Sequence, residues 1–152
     1  KITLVTVEDR PGISAGIFAP LADAGVNVDM IVQNISEKNF EHHQGSVTDM
    51  TFSVPINQVD RAKRAMEQAR AAGTVSYDEL IVDTEVAKVS VVGIGMRSHA
   101  GVAARMFKAL AEENINIKVI ATSEIKISVL IDRKYMELAV QALHDAFGLE
   151  AA

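Results

Sequence analysis

The run "KITLVTV" at positions 1–7 returns as "KVSVVGI" at positions 88–94. After a junction two residues longer in the second copy, Gly12 falls on Gly101. The same spacing carries Phe18 onto Phe107, Leu21 onto Leu110, Ala22 onto Ala111 and Asn27 onto Asn116. Thr48-Asp49 then aligns with Ser123-Glu124, which leaves an insertion, "SEKNFEHHQGS", at 36–46 of the first copy. Two copies are too few for a solenoid, in which each repeat is buried by its neighbours. The duplication predicts two paired domains, 1–84 and 85–152.

Hydrophobic period assigns the elements of each copy. The β-branched runs 2–7 and 89–94 predict first strands. Ile13, Ile17, Leu21 and Val102, Met106, Leu110 recur at helical spacing. Those helices stop near Gly25 and Asn114, residue types that tolerate a left-handed cap. Pro20 lies inside the first helix and lacks an N–H, which predicts a kink or a shortened helix. Second strands are expected at 27–35 and 115–122, and third strands at 47–54 and 125–131. Second helices follow at Val59, Ala62, Met66, Ala69 and at Tyr135, Ala139, Leu143, Phe147, ending at Gly73 and Gly148. Only the first copy continues into a fourth strand, at 75–82. The fold class is therefore α+β: two βαββαβ units, ferredoxin-like, with antiparallel sheets and helices on one face, the second lacking one strand. The open edge so left calls for a cover, and predicts a dimer or larger assembly.

Composition removes several functions. Lys and Arg number 15 against 20 Asp and Glu, a formal charge of −5, where a nucleic-acid surface needs clustered positive charge. Aromatic residues make up 5% with no Trp, too few for base-stacking platforms. Without cysteine there is no thiolate metal site or nucleophile, and a cytoplasmic location is expected. No apolar run approaches the ~20 residues that span a bilayer. The start at Lys1 rather than Met is read as a fragment or a trimmed end. The histidines are scattered, and neither a metal site nor a phosphate loop is expected.

The junction before each helix carries the chemistry. Opening helix amides, around Gly12-Ile13-Ser14 and Gly101-Val102-Ala103, lack intrahelical partners and attract an anion such as a carboxylate. Asp9 and, one strand over, Asn27, Asp29, Gln33 and Asn34 offer groups for an ammonium. Carboxylate and ammonium together describe a free amino acid. The same residues also read as ordinary turn chemistry, with Asp9 as a helix cap.

The segments "DRPGISAGIFAPLADAGVNVDMIVQNIS", "TDMTFSV", "KVSVVGIGMRSHAGVAARMFKALAEENINI" and "ATSEIKISVLID" resemble the paired ACT domains at the C-terminal end of aspartate kinases, over nearly the whole chain. The resemblance implies a non-catalytic regulatory region that binds end-product amino acids, threonine and lysine, at interfaces between ACT domains for feedback inhibition. It implies a homodimer and a kinase domain upstream, where ATP and Mg would bind; no cofactor is expected in this chain. Some family members make the region as a separate small subunit. Carried over by position, the first effector site comprises Asp9, Gly12, Ile13, Ser14, Asn27, Val28, Asp29 and Gln33. The second comprises Val102, Ala103, Asn116, Ile117, Ser123 and Glu124. Three positions depart from the family pattern: Lys118 stands for an acid or amide, Ala121 for Ser and Ala100 for Pro. The family also places part of the second sheet just before Lys1. The rival readings are an ACT sensor of another enzyme, and a small acyl-phosphate enzyme using Arg10 or Arg97.

Overall fold

In the computed structural model, residues 1–8, 11–35, 47–93 and 99–148 are described, the side chains of Ile35 and His99 excepted. The chain divides into two compact units, Lys1–Thr84 and Glu85–Ala152. Unit 1 runs β1 (Ile2–Glu8), α1 (Ile13–Asp23), β2 (Ile31–Ile35), β3 (Val47–Phe52), α2 (Val59–Ala71) and β4 (Glu79–Val82). Its sheet has the order β2-β3-β1-β4, and every pairing is antiparallel. Unit 2 runs β5 (Val86–Val92), α3 (His99–Glu112), β6 (Ile117–Thr122), β7 (Lys126–Asp132) and α4 (Met136–Ala146), in a three-stranded antiparallel sheet β5-β7-β6. The last residue of the expected strand 89–94 lies outside the described residues.

Alternation builds the first core. Ile2 and Leu4 of β1 and Met50 and Phe52 of β3 share one face, buried against Ile13, Ile17 and Leu21 of α1 and Ala62, Met66 and Ala69 of α2. The Phe18 and Phe52 rings meet edge to face, with centroids 5.7 Å apart. Unit 2 repeats the plan with Val89, Ile127, Val129 and Ile131 under Met106, Leu110, Ala139 and Leu143.

The helix stops follow the sequence reading. Gly25 has φ +73° and Asn114 φ +59°. In each, paired bonds return to the last turn: Gly25 N–H to Ala22 O and Val26 N–H to Leu21 O, Asn114 N–H to Ala111 O and Ile115 N–H to Leu110 O. Both are the left-handed ending that glycine, and next asparagine, adopts at least cost. Pro20 does not shorten α1: Asp23 and Glu112, the ends of α1 and α3, are counterparts in the repeat. The two helices differ in length at their starts.

Several strand boundaries depart from expectation, among them the end of β3 at Phe52 and the start of β6 at Ile117. Regular pairing in β2 begins only at Ile31, because both Asp29 and Met30 bond to Ser53: Asp29 N–H donates to Ser53 O and Ser53 N–H to Met30 O, each 3.0 Å. β4 begins at Glu79; Val75 and Tyr77, read as strand, are buried core residues ahead of it. The third-strand alignment also shifts. Thr3 Oγ1 lies 3.1 Å from Thr51 Oγ1, and Ser90 Oγ lies 2.7 Å from Ser128 Oγ. Thr3 and Ser90 are counterparts, so Thr51 and Ser128 are too, and Asp49 corresponds to Lys126 rather than Glu124. Strand side chains alternate with period two, so sliding a strand by two residues leaves its apolar pattern intact.

Candidate functional site

Gly12 caps α1 with φ +87° and ψ −7°, and among the described residues no side chain caps the helix. A Cβ added there would meet nothing within 4 Å, so the left-handed backbone, not crowding, is what requires glycine. Gly16 N–H donates to Gly12 O at 3.0 Å, the first bond of the helix. The amides of Ile13, Ser14 and Ala15 precede it and have no helical acceptor. No acidic residue occupies the first turn, so nothing in it offsets the positive end of the helix dipole. Ile13 is buried in the core, while Gly12 and Ser14 are exposed. Asp9, Arg10 and Arg97 lie outside the described residues.

Unit 2 is built differently at this point. α3 begins at His99, three positions before the counterpart of Ile13. Gly101 is not in the left-handed region, unlike Gly12. Ala100 replaces Pro11, and with an ordinary residue there the helix extends backward. The first turn of α3 therefore begins at His99 and not, as the sequence reading has it, at Gly101-Val102-Ala103. Ala103 N–H already falls within reach of the His99 carbonyl.

The remaining candidates separate into two groups. β2 runs parallel to β1 across β3, with Ile35 opposite Thr48 and Ile31 opposite Phe52. Gln33 and Asn34 therefore lie toward the end where α1 starts. Asn27, Val28 and Asp29 lie at the other end, where α1 stops; there Asn27 N–H donates to Gln58 Oε1 at 2.7 Å. An 11-residue helix separates the two ends by about 16 Å. The unit does not bring Asp29 to the Gly12–Ser14 amides. Asn27, Asp29 and Gln33 are exposed, and Val28 packs against the core.

In unit 2, exposed Ser123 and Glu124 form the β6–β7 turn, closed by Ser123 N–H to Lys126 O at 2.7 Å. Gly93 N–H reaches Ile125 O at 2.8 Å, which sets this turn beside the end of β5. Asn116 is exposed and Ile117 half-buried, at the opposite end of β6.

Two residues that sequence reasoning passed over sit near the end of β1, the strand that precedes α1. Between β1 and β3 the register steps from Leu4–Met50 to Val7–Thr48, so Val5 and Thr6 share one partner, Asp49. Thr6 has φ +59°, a region that β-branched residues rarely adopt. Its amide donates to Asp49 Oδ1 at 3.0 Å. The available signal was the phase of "KITLVTVE": strict alternation from Ile2 and Leu4 would point Thr6 and Glu8 inward and Val7 outward. The bulge reverses the last two, burying Val7 completely and leaving Glu8 exposed.

A groove of about 470 Å³ lies elsewhere in unit 1, lined by Pro20, Asp23, Arg61, Arg64, Gln68 and Thr74 among others, and none of the candidates borders it. Arg61 Nη1 donates to Gly25 O at 3.3 Å, so part of that positive charge serves the α1 stop. Among the described residues, no cluster of three His, Cys, Asp or Glu could hold a metal ion, and no helix is long and apolar enough to cross a membrane.

The ACT domain profile matches residues 1–71, and a second ACT domain profile matches residues 89–147. The aspartate kinase of Pseudomonas fluorescens strain SBW25 is 52% identical over 151 residues, which are 99% of this chain and 34% of that protein. The chain thus spans about a third of the curated relatives it matches. Among solved structures, the regulatory subunit of aspartate kinase from Thermus thermophilus superposes with a TM-score of 0.82 at 40% identity, over 96% of this chain and 90% of that one. Aspartate kinase from Synechocystis gives 0.85 at 38% identity, over 99% of this chain and 25% of that one.

Proposed function

Because the chain belongs to the family of aspartate kinase regulatory regions with two ACT domains, we propose that it is the amino-acid-sensing part of an ATP-dependent aspartate kinase. It binds threonine, lysine or both and conveys feedback inhibition to a kinase domain that these residues do not comprise. The observation that supports this most directly is the start of α1: a left-handed Gly12, three amides without helical acceptors and no acid in the first turn. That arrangement suits the carboxylate of a free amino acid. The ammonium group needs an acceptor, and Asp29 and Asn27 of the same unit are a helix length away. A second ACT unit, brought by self-association, supplies those residues. Gln33, able to donate and accept, suits the threonine hydroxyl. Binding shifts the kinase only by favouring one arrangement of the assembly over another, a coupling of typically ~1–3 kcal/mol.

Calorimetry of the isolated chain with threonine, lysine, methionine and leucine tests the reading. Threonine or lysine binds, Asp29→Ala weakens binding by ~1.5–3 kcal/mol, and sedimentation shows a dimer or larger species. Gln33→Ala weakens threonine more than an analogue lacking the hydroxyl. The isolated chain phosphorylates no aspartate. Absence of binding by all four amino acids to an assembled chain would sink the proposal.

A further inference from the structure

We propose that Asp49 is the positioning residue of the unit 1 helix start, acting through the amide of Thr6. This deepens the reading above and rests on it for the identity of the ligand. Where β1 carries its extra residue, the Thr6 N–H leaves the strand ladder and the Asp49 carboxylate receives it at 3.0 Å. The acceptor stabilises a backbone conformation that threonine rarely adopts. After that point β1 has two residues left, Val7 and Glu8, and Gly12 caps α1 six positions beyond Thr6. The direction in which β1 leaves the sheet is set at Thr6, and on this proposal it governs where the α1 amides lie.

Unit 2 serves as an internal comparison. β5 pairs with β7 without a step from Val86–Asp132 to Val92–Lys126, and Gly93 N–H continues the ladder to Ile125 O. The counterpart of Asp49 is Lys126, an ammonium that cannot accept from an amide. There the helix starts three residues earlier and its glycine is not left-handed. The acid, the bulge and the left-handed helix cap occur together in unit 1, and none of the three is found at the matching positions among the described residues of unit 2. Burial of Val7 is the other consequence of the bulge, so the test has to separate orientation of the turn from support of the core.

The experiment compares Asp49→Ala, Asp49→Asn, Asp49→Ala with Thr6→Gly, and Val7→Ala in the whole chain. It reads threonine and lysine affinity by calorimetry and amide exchange at Thr6 and Gly16 by NMR. Asp49→Ala is expected to weaken effector binding about tenfold or more and to speed exchange at both amides. Asp49→Asn keeps an Oδ1 acceptor and should retain near wild-type affinity. Thr6→Gly, for which positive φ carries no steric cost, should restore binding to Asp49→Ala. That double variant also carries the test if Asp49→Ala alone does not fold. Val7→Ala should lower stability while leaving affinity unchanged. Wild-type affinity in folded Asp49→Ala overturns the proposal, as does loss in Val7→Ala equal to that in Asp49→Ala. If the wild-type chain binds no amino acid, the sensing reading fails. The positioning role then stands on faster Gly16 exchange in Asp49→Ala and falls without it.

Discussion

Lys118 Nζ lies 2.8 Å from Asp132 Oδ1, and the pair occupies in unit 2 the place that Asp29 and Pro55 hold in unit 1. Lys118 is the extra residue of the β6–β7 register, between Ile117–Ile131 and Val119–Leu130. The position that carries the acid Asp29 in unit 1 carries a paired cation here. Both side chains are only partly buried, so the pair contributes about 0.5–1 kcal/mol. A double-mutant cycle of Lys118→Met and Asp132→Asn in urea should give that coupling, reduced in 1 M salt as screening lengths shorten to about 3 Å.

Gly25→Ala should destabilise the chain by about 1–2 kcal/mol, because φ +73° is costly for any residue with a Cβ. Crowding is not the cause: the added carbon would meet only Arg61 Nη1, at 3.6 Å. Asn114→Gly, at the matching position of α3, should be neutral or stabilising by a few tenths of a kcal/mol, within about 0.5. Equal and opposite effects from the two substitutions are not expected, since asparagine already tolerates the left-handed region. Thermal or urea unfolding of the two variants reads the difference.

Phe52→Ala should cost about 3–5 kcal/mol, since the ring is 1% exposed and packs on Phe18. Hydrogen exchange should show the loss in the amides of β1, β3, α1 and α2. Uniform loss across both units would mean that the two cores unfold as one.

Burial pushes the Tyr77 phenol above its ordinary value of 10.0, against the opposing pull of Arg70. The Arg70 guanidinium sits 4.7 Å from the ring centre. The folded state therefore holds this proton more tightly than the unfolded state. Stability from the neutral phenol is complete below pH 10 and is lost as pH rises through the higher folded value. Tyr77→Phe has no proton to lose, so its unfolding free energy should fall less than that of the wild type between pH 9 and pH 11. The comparison by urea unfolding tests the sign.

Much of the fold was legible because its signals are local. The stops at Gly25 and Asn114 depend on residue type within one turn, and both chain copies display them. The helix at 13–23 survives Pro20, whose missing N–H costs one bond among many supplied by the turns around it. Gly12 was legible as special, but its left-handed φ was not, and neither was the earlier start of α3. Those depend on how each first strand arrives, and Ala100 in place of Pro11 was the sole local hint.

By itself the sequence determined that the chain is two copies of one α+β unit, where each helix stops and which residues fill each core. Apolar period and capping chemistry are written in neighbouring residues. Only the tertiary structure decided that Thr51 and Ser128 are counterparts in the repeat, the bulge that joins Thr6 to Asp49, and the separation of Asp29 from Gly12 by the length of α1. Each of these turns on which strand residues face one another across the sheet. A period of two cannot distinguish a register from the same register moved by two residues, and contacts between distant segments leave no mark in the pattern of either one.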